Sequence, residues 1–551
     1  MKTPKPSIAA LLAIEFYLIV SAACVASLLM RTNGQFIYPL DDTYISMAMA
    51  KNLAQHGIMG LTRYEFSASS SCPLWTLLIA AAYRLTGVTW WVPLVLGFLA
   101  GFAVLLAGYR ILLSYTENAL VIGSFLAALC FLTPLPALAL SGMEHAFHIA
   151  LVLLFAAAAC RYLGKDSSFS TADLCRILAL IAVMVMVRYE SLFLAAIFSA
   201  LALLRRKWLP ACLAMIAATA PVLLFGAISV SQGWGWLPNS VMLKGSMPQL
   251  SSAQGILMFL GLRSLKMLFF TPHLLGLTGL LAAAWWIGKA RHGVAFWAPT
   301  QLMPFMAVAA LMLHLQFASV GWFYRYEAYL VALGVMALAC SRFDRTLREI
   351  FSPAAWRRTP LVSTVAVLAL LLAILPMASR ASGALAGFRI AAYNVFEQQY
   401  QMAGFLNRYY NGASIAANDV GAINYFNDLH CLDLVGLCNR NVFGLKRRQA
   451  YNTHALDALT AAAHVRVALV YATWFDGKAG PAIPAKWTPA GQWRVTDNGF
   501  LGGDTVTFYA VQPQETDYLV RSLREFSSRL PASVIQTMPA LRPAAAPEPW
   551  L

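Results

Sequence analysis

The chain has 551 residues, 60% of them hydrophobic and only 12% charged, with a mean hydropathy of +0.64. This excludes a soluble globule with an ordinary polar surface and reads as a polytopic membrane protein. The formal charge of +16 does not argue for nucleic acid, because Lys and Arg fall in short clusters between apolar runs instead of forming one patch.

The first apolar run, Ser7 to Met30, follows the basic start MKTPKP. It is too long for the core of a signal peptide and reads as an uncleaved anchor, with the N-terminus in the cytoplasm. Later basic clusters mark the cytoplasmic side: Arg110, RYLGKD at 161–166, RRK at 205–207, GKARH at 288–292, and SRFDRTLREIFSPAAWRR at 341–358. Threading helices between them predicts spans near 7–30, 91–112, 118–134, 145–162, 174–188, 191–204, 209–230, 273–288, 295–317, 323–340 and 361–379, about eleven in all. None shows the short alternating strands of a membrane β-barrel, so the fold expected is α-helical. PLWTLLIAAAYRL at 73–85 is assigned as a re-entrant or interfacial helix, since a further span would put the later basic loops on the wrong side.

After Met377 polar residues become frequent and apolar runs shrink to strand length. The expected organisation is a multi-spanning domain over 1–379, a small α/β domain over 380–535 outside the cytoplasm, and a disordered tail over 536–551. SIAAN, VRVALVYAT and TVTFYAV are the strand-like pieces of the α/β domain. Cys431 and Cys438 lie there; a disulfide in an oxidising compartment and two buried free thiols both fit.

The outer loops are rich in ionisable groups. They carry Asp41 and Asp42 with Arg63 and Glu65, then Glu144 with His145 and His148, Arg188 with Glu190, Asn239 with Lys244, and Arg325 with Glu327. Charges at helix ends near a membrane are costly unless they face a polar cavity, so their gathering on one side reads as a site. Asp42 also fits an N-cap for the following TYISMAMAKNLAQ, and the pair can divide the two roles. His145 and His148, three residues apart, would share a helix face; that spacing alone is weak evidence for a metal, and a structural role is favoured. Trp234, Trp236, Trp322 and Tyr326 read first as interfacial belt residues. The sequence has no P-loop, no dinucleotide-binding glycine fingerprint and no paired-cysteine zinc motif, which leaves nucleotide-sugar and ATP-driven chemistry without residues.

DDTYISMAMAKNLAQHG, SSSCPLWTLLIA, SGMEHAF, VRYES, LPNSVMLKG and ANDVGAINYFNDLHCLDLVGL together resemble, in order, the motifs of the polyprenyl-phosphate-sugar-dependent GT-C glycosyltransferases. They are similar especially to those of the relatives of the mycobacterial terminal arabinofuranosyltransferase. The chain departs from the motifs at Ala48, Met49, Cys72 and Tyr189. The resemblance implies an integral membrane enzyme of a bacterial cytoplasmic membrane. It would transfer a sugar, arabinofuranose being favoured, from a polyprenyl phosphate to a glycan, lipid or protein acceptor on the outer face. It further implies that the base for the acceptor hydroxyl is in the first outer loop, at Asp41 or Asp42. The departing lipid phosphate needs cationic stabilisation, for which Arg188, Lys244 and Arg325 are the candidates. Glu144 either positions sugar hydroxyls or satisfies a helix N-terminus, and Asn239 and Glu190 are placed with the donor-binding residues. No cofactor is indicated, and a divalent cation is neither required nor excluded. The competing reading is a lipid-linked glycan transporter or flippase without chemistry, which would have no need of a base in the first outer loop.

Overall fold

The structure, a computed structural model, describes residues 8–164, 170–244, 252–341, 343–477 and 480–539. It divides into two compact units, one formed by Met1–Phe36 with Ser69–Arg389 and the other by Ile37–Ala68 with Ile390–Leu551.

The first unit is helical. Among the described residues, six helices are long and apolar enough to cross a membrane: Ala10–Leu29, Trp91–Leu113, His145–Gly164, Trp208–Ser231, Pro299–Phe317 and Pro360–Tyr409, whose last turns belong to the second unit. A seventh span results if Gln254–Phe270 and Pro272–Ala290, which meet at 107°, cross together. The break falls at Thr271, whose extended backbone (φ −121°, ψ 77°) is what a following proline imposes. The chain is therefore a multi-pass, mainly helical membrane protein. Shorter apolar helices occupy Ala119–Leu132, Ser191–Leu204 and Ala328–Cys340, and Thr171–Val187 is another. Pro73–Thr86 forms a separate helix that buries one stripe, including Trp75, Ile79 and Tyr83, as an amphipathic pattern requires. His145–Gly164 and Ala328–Cys340 lie at the centre of this unit. Small Ala side chains at many turns allow close packing on several sides, and Leu129, Ile149, Phe155, Phe198, Leu311 and Met336 fill the space around them.

The second unit is built on a six-stranded sheet in the order β2-β1-β3-β5-β4-β6. Its strands are β1 (Ser414–Ala417), β2 (His430–Asp433), β3 (Val467–Val470), β4 (Thr488–Val495), β5 (Thr505–Ala510) and β6 (Val534–Thr537). β1 pairs in parallel with β2 and β3, and the remaining pairings are antiparallel. β1, β3 and β5 occupy the expected strand-like pieces, while β2, β4 and β6 were not foreseen. β6 runs to Thr537, and the rest of the expected tail, 540–551, lies outside the described residues. On one face Phe405, Trp493, Phe508 and Phe526 pack ring against ring, with centroids 4.5–5.7 Å apart. Val442, Leu456, Val465 and Trp487 belong to a second apolar cluster. Cys431 and Cys438 are not joined in a disulfide.

Candidate functional site

The expected site residues fall into two groups, one in each unit. In the second unit, the first helix is Asp41–His56. Asp42 does not cap it as expected: the helix already begins at Asp41, Leu40 holds the cap position, and no side chain caps it. Both carboxylates instead sit in its first turn, where the helix dipole favours negative charge. Asp41 accepts hydrogen bonds from the amides of Gly421 (2.7 Å) and Ala422 (2.8 Å), one on each oxygen. It thus satisfies the start of a different, one-turn helix, Gly421–Tyr425. Ten residues on, buried Lys51 donates to the carbonyls of Asn424, Tyr425 and Asn427 at 2.9–3.0 Å. One helix thereby grips both ends of another, anion at the amide end and cation at the carbonyl end. Only glycine fits at 421, since a Cβ there would lie 2.2 Å from the Asp41 carbonyl oxygen.

A third carboxyl, Asp419, adjoins this pair electrostatically. Its Oδ2 lies 2.5 Å from the Tyr471 hydroxyl and accepts from Gln399 Nε2 at 2.8 Å. Tyr471 is also 2.5 Å from Gln398 Oε1, and the orientation of that amide is set by Gln398 Nε2 donating to the Gly503 carbonyl. A hydroxyl has one proton. Asp419 Oδ2 and Gln398 Oε1 therefore share the one proton that the Tyr471 hydroxyl donates. Burial, the largest effect, pushes the Asp419 carboxyl up. Burial also drives Asp41 up to about 7; the neighbouring Asp419 and, less strongly, Asp42 add to this, and the two amides oppose it. Asp419, Tyr471, Lys51 and Gln399 were not expected as site residues. Asp419 does stand in the quoted ANDVGAINYF segment, but its partners are 20 and 52 residues away in sequence, beyond the reach of any local pattern.

In the first unit, Glu144, Arg188 and Glu190 come together. Glu144 precedes the helix His145–Gly164 and its carbonyl accepts the His148 amide. The turn before it needs Gly142 at φ 71°, and Trp75 donates to the Gly142 carbonyl at 3.1 Å. Arg188 ends the helix Thr171–Val187. Its Nη1 donates to Glu144 Oε1 (2.7 Å) and to His145 Nε2 (2.9 Å), and its Nε and Nη2 engage the two oxygens of Glu190. Four of its five N–H groups are thus committed within the protein. Tyr326 is no mere belt residue: its ring faces the guanidinium carbon of Arg188 at 5.6 Å and that of Arg325 at 5.1 Å, distances at which cation–π attraction operates. Arg325 is buried, with Nη1 3.0 Å from Met143 Sδ and Nη2 3.4 Å from the Tyr326 hydroxyl. His148 bonds Ser191 Oγ at 2.9 Å, the structural role expected of it. Glu327, in a separate group, pairs with Arg380 at 2.8 Å. Asn239 is fully buried at the start of the helix Asn239–Lys244; the side chain of Lys244 lies outside the described residues. Among the described residues no three His, Cys, Asp or Glu side chains group as a metal would require.

Residues 391–509 match the model of a domain of unknown function, DUF8728, and no curated protein matches the sequence. Among solved structures, ArnT from Cupriavidus metallidurans bound to undecaprenyl phosphate is 14% identical, with a TM-score of 0.53 over 92% of this chain and 98% of that one. The oligosaccharyltransferase AglB from Archaeoglobus fulgidus, solved with an inhibitory peptide and a dolichol-phosphate, is 11% identical, with a TM-score of 0.46 over 91% of this chain and 74% of that one. Arabinofuranosyltransferase AftD from Mycobacteria is 14% identical, with a TM-score of 0.44 over 90% of this chain and 41% of that one. The likeness that carries an argument is the one to ArnT, whose fold this chain shares.

Proposed function

We propose that this protein transfers a sugar from a polyprenyl-phosphate donor to a glycan, lipid or protein acceptor on the outer face of a bacterial cytoplasmic membrane. The observation that carries the reading is the carboxylate pair in the first turn of Asp41–His56, in a chain that shares the fold of ArnT. The acceptor oxygen bonds to the anomeric carbon as the bond to the phosphate oxygen breaks. Its proton passes to a carboxylate, and the bonding pair leaves with the polyprenyl phosphate. Asp41 has both oxygens committed to backbone amides, which assigns the proton-accepting role to Asp42 and a positioning role to Asp41.

Arg325 is the cation for the leaving phosphate, with Lys244 as a second. Arg188, with four of its N–H groups held by Glu144, His145 and Glu190, organises its neighbours, and Asn239 stays with the donor-binding residues. Arabinofuranose remains the favoured sugar, on the motifs alone. The topology belonging to this reading has about eleven spans, the shorter apolar helices and Thr171–Val187 included. It puts the N-terminus in the cytoplasm and residues 380–535 outside.

The test is transfer of radiolabelled sugar from polyprenyl-phosphate arabinofuranose by the purified full-length protein. Asp42→Asn should lose about 10²-fold or more in turnover while unfolding at the wild-type temperature. Near-normal turnover would end the catalytic assignment of the pair.

A further inference from the structure

The hydrogen-bond pattern around Arg188 fixes the state of His145. A guanidinium only donates, so Nε2 of His145, 2.9 Å from Arg188 Nη1, must be an unprotonated acceptor. The ring is then neutral and carries its proton on Nδ1. That Nδ1 is buried without a hydrogen-bond partner; the nearest carboxylate oxygen, Glu144 Oε1, is 3.7 Å away and already taken by Arg188. The other oxygen, Glu144 Oε2, is likewise buried with no strong donor on it; besides Arg188, the carboxylate interacts with the Cys72 thiol, only a weak donor. Glu144 is 1% and His145 3% exposed. Adjacent residues therefore present one unsatisfied donor and one unsatisfied acceptor, both buried and both held in place by one arginine. Leaving such groups unmatched in a buried site is unfavourable, and a bound hydroxyl would relieve it at both ends.

The charges nearby indicate what kind of ligand would do so. Glu144 and Glu190 both engage Arg188, so the groups around His145 offer no net attraction for an anion. Arg325, however, sits beside the same turn, 3.0 Å from Met143 Sδ, and shares the Tyr326 ring with Arg188. A phosphate held by Arg325 would have its esterified sugar next to the His145–Glu144 pair.

We propose that His145 Nδ1–H and Glu144 Oε2 together bind a hydroxyl group of the donor sugar, making His145 a specificity-determining residue that Arg188 holds in the donor tautomer. This rests on the glycosyltransferase reading above. A site built to hydrogen-bond a hydroxyl discriminates strongly against ligands that lack it. The enzyme should therefore distinguish the sugar-bearing lipid from the bare polyprenyl phosphate at this point.

The test measures binding by native mass spectrometry of the full-length protein in lipid nanodiscs. The probes are undecaprenyl phosphate and its arabinofuranosyl, mannosyl and glucosyl esters. His145→Gln retains an acceptor for Arg188 at the Nε2 position but removes the Nδ1 donor. His145→Asn does the reverse. The wild type should prefer at least one ester over the bare lipid. His145→Gln should lose about tenfold in affinity for that ester with undecaprenyl phosphate binding unchanged, and His145→Asn should lose less. The proposal is overturned if His145→Gln binds the ester as the wild type does, or weakens ester and bare lipid equally, as a purely structural histidine would. It is also overturned if the wild type prefers no ester. Failure of the wild type to bind any polyprenyl phosphate would instead sink the glycosyltransferase reading itself.

Discussion

Asp41 and Asp42 are adjacent in sequence and carry the same charge, yet the fold gives them different work. Two amide donors lock Asp41, while burial lifts its carboxyl to about 7. An unfolded Asp titrates near 3.9, so between about pH 4 and 7 the folded protein keeps a proton that the unfolded chain has released. The sign follows: this contribution to stability is full below about pH 4 and is lost as pH rises through about 7. The full-length protein should unfold at a higher temperature at pH 5 than at pH 8, and Asp41→Asn should reduce that difference. An unchanged difference in Asp41→Asn would place the titrating group elsewhere. The carboxylate pair itself stands out in the sequence from its position after the first apolar run. Which member does what was not, because the deciding partners, Gly421 and Ala422, are about 380 residues downstream. Arg188 shows the same limit. As a sequence feature it is a cation at a helix end; with its donors counted it becomes the clamp that orients Glu144, His145 and Glu190.

Helices were easier to read than strands. Each predicted span overlaps a helix, six or seven of them, among the described residues, long and apolar enough to cross a membrane, because a long apolar run needs no partner to declare itself. β4 was missed because Pro489 and Gly491 read as turn residues; they sit instead at a register shift against β5, where irregular backbone is tolerated. β2 and β6 have four residues each and lie at the two edges of the sheet, too short for alternation to show. The grip of Asp41–His56 on Gly421–Tyr425 yields two predictions at this scale. Lys51→Met removes a charged donor from three carbonyls and should cost on the order of 1–3 kcal/mol, seen as a lower unfolding temperature. Gly421→Ala forces the Asp41 backbone away from its new Cβ, and overpacking of this kind costs about 1–3 kcal/mol. Transfer activity should fall in this variant as well, since Asp42 moves with its neighbour. Wild-type unfolding and turnover in both variants would show that the two helices do not depend on this contact.

For the whole molecule, orientation is the quantity to test. The basic loops, above all SRFDRTLREIFSPAAWRR at 341–358, predict that the sheet-bearing unit is exported. An alkaline phosphatase fusion after Thr537 should be active in intact cells; a well-expressed but silent fusion would invert the topology and separate Asp42 from a donor on the outer face. Composition and hydropathy by themselves determined that this is a helical membrane protein with a polar C-terminal part, because the cost of exposing apolar surface to water is local and additive along the chain. Only the tertiary structure decided that Ile37–Ala68 belongs to one compact unit with Ile390–Leu551, that Tyr471 donates to Asp419, and that the His145 Nδ1 is buried with no hydrogen-bond partner. Those outcomes depend on hydrogen bonds between residues tens to hundreds of positions apart. Such bonds are strong enough to fix protonation and orientation only once folding has removed water from around them.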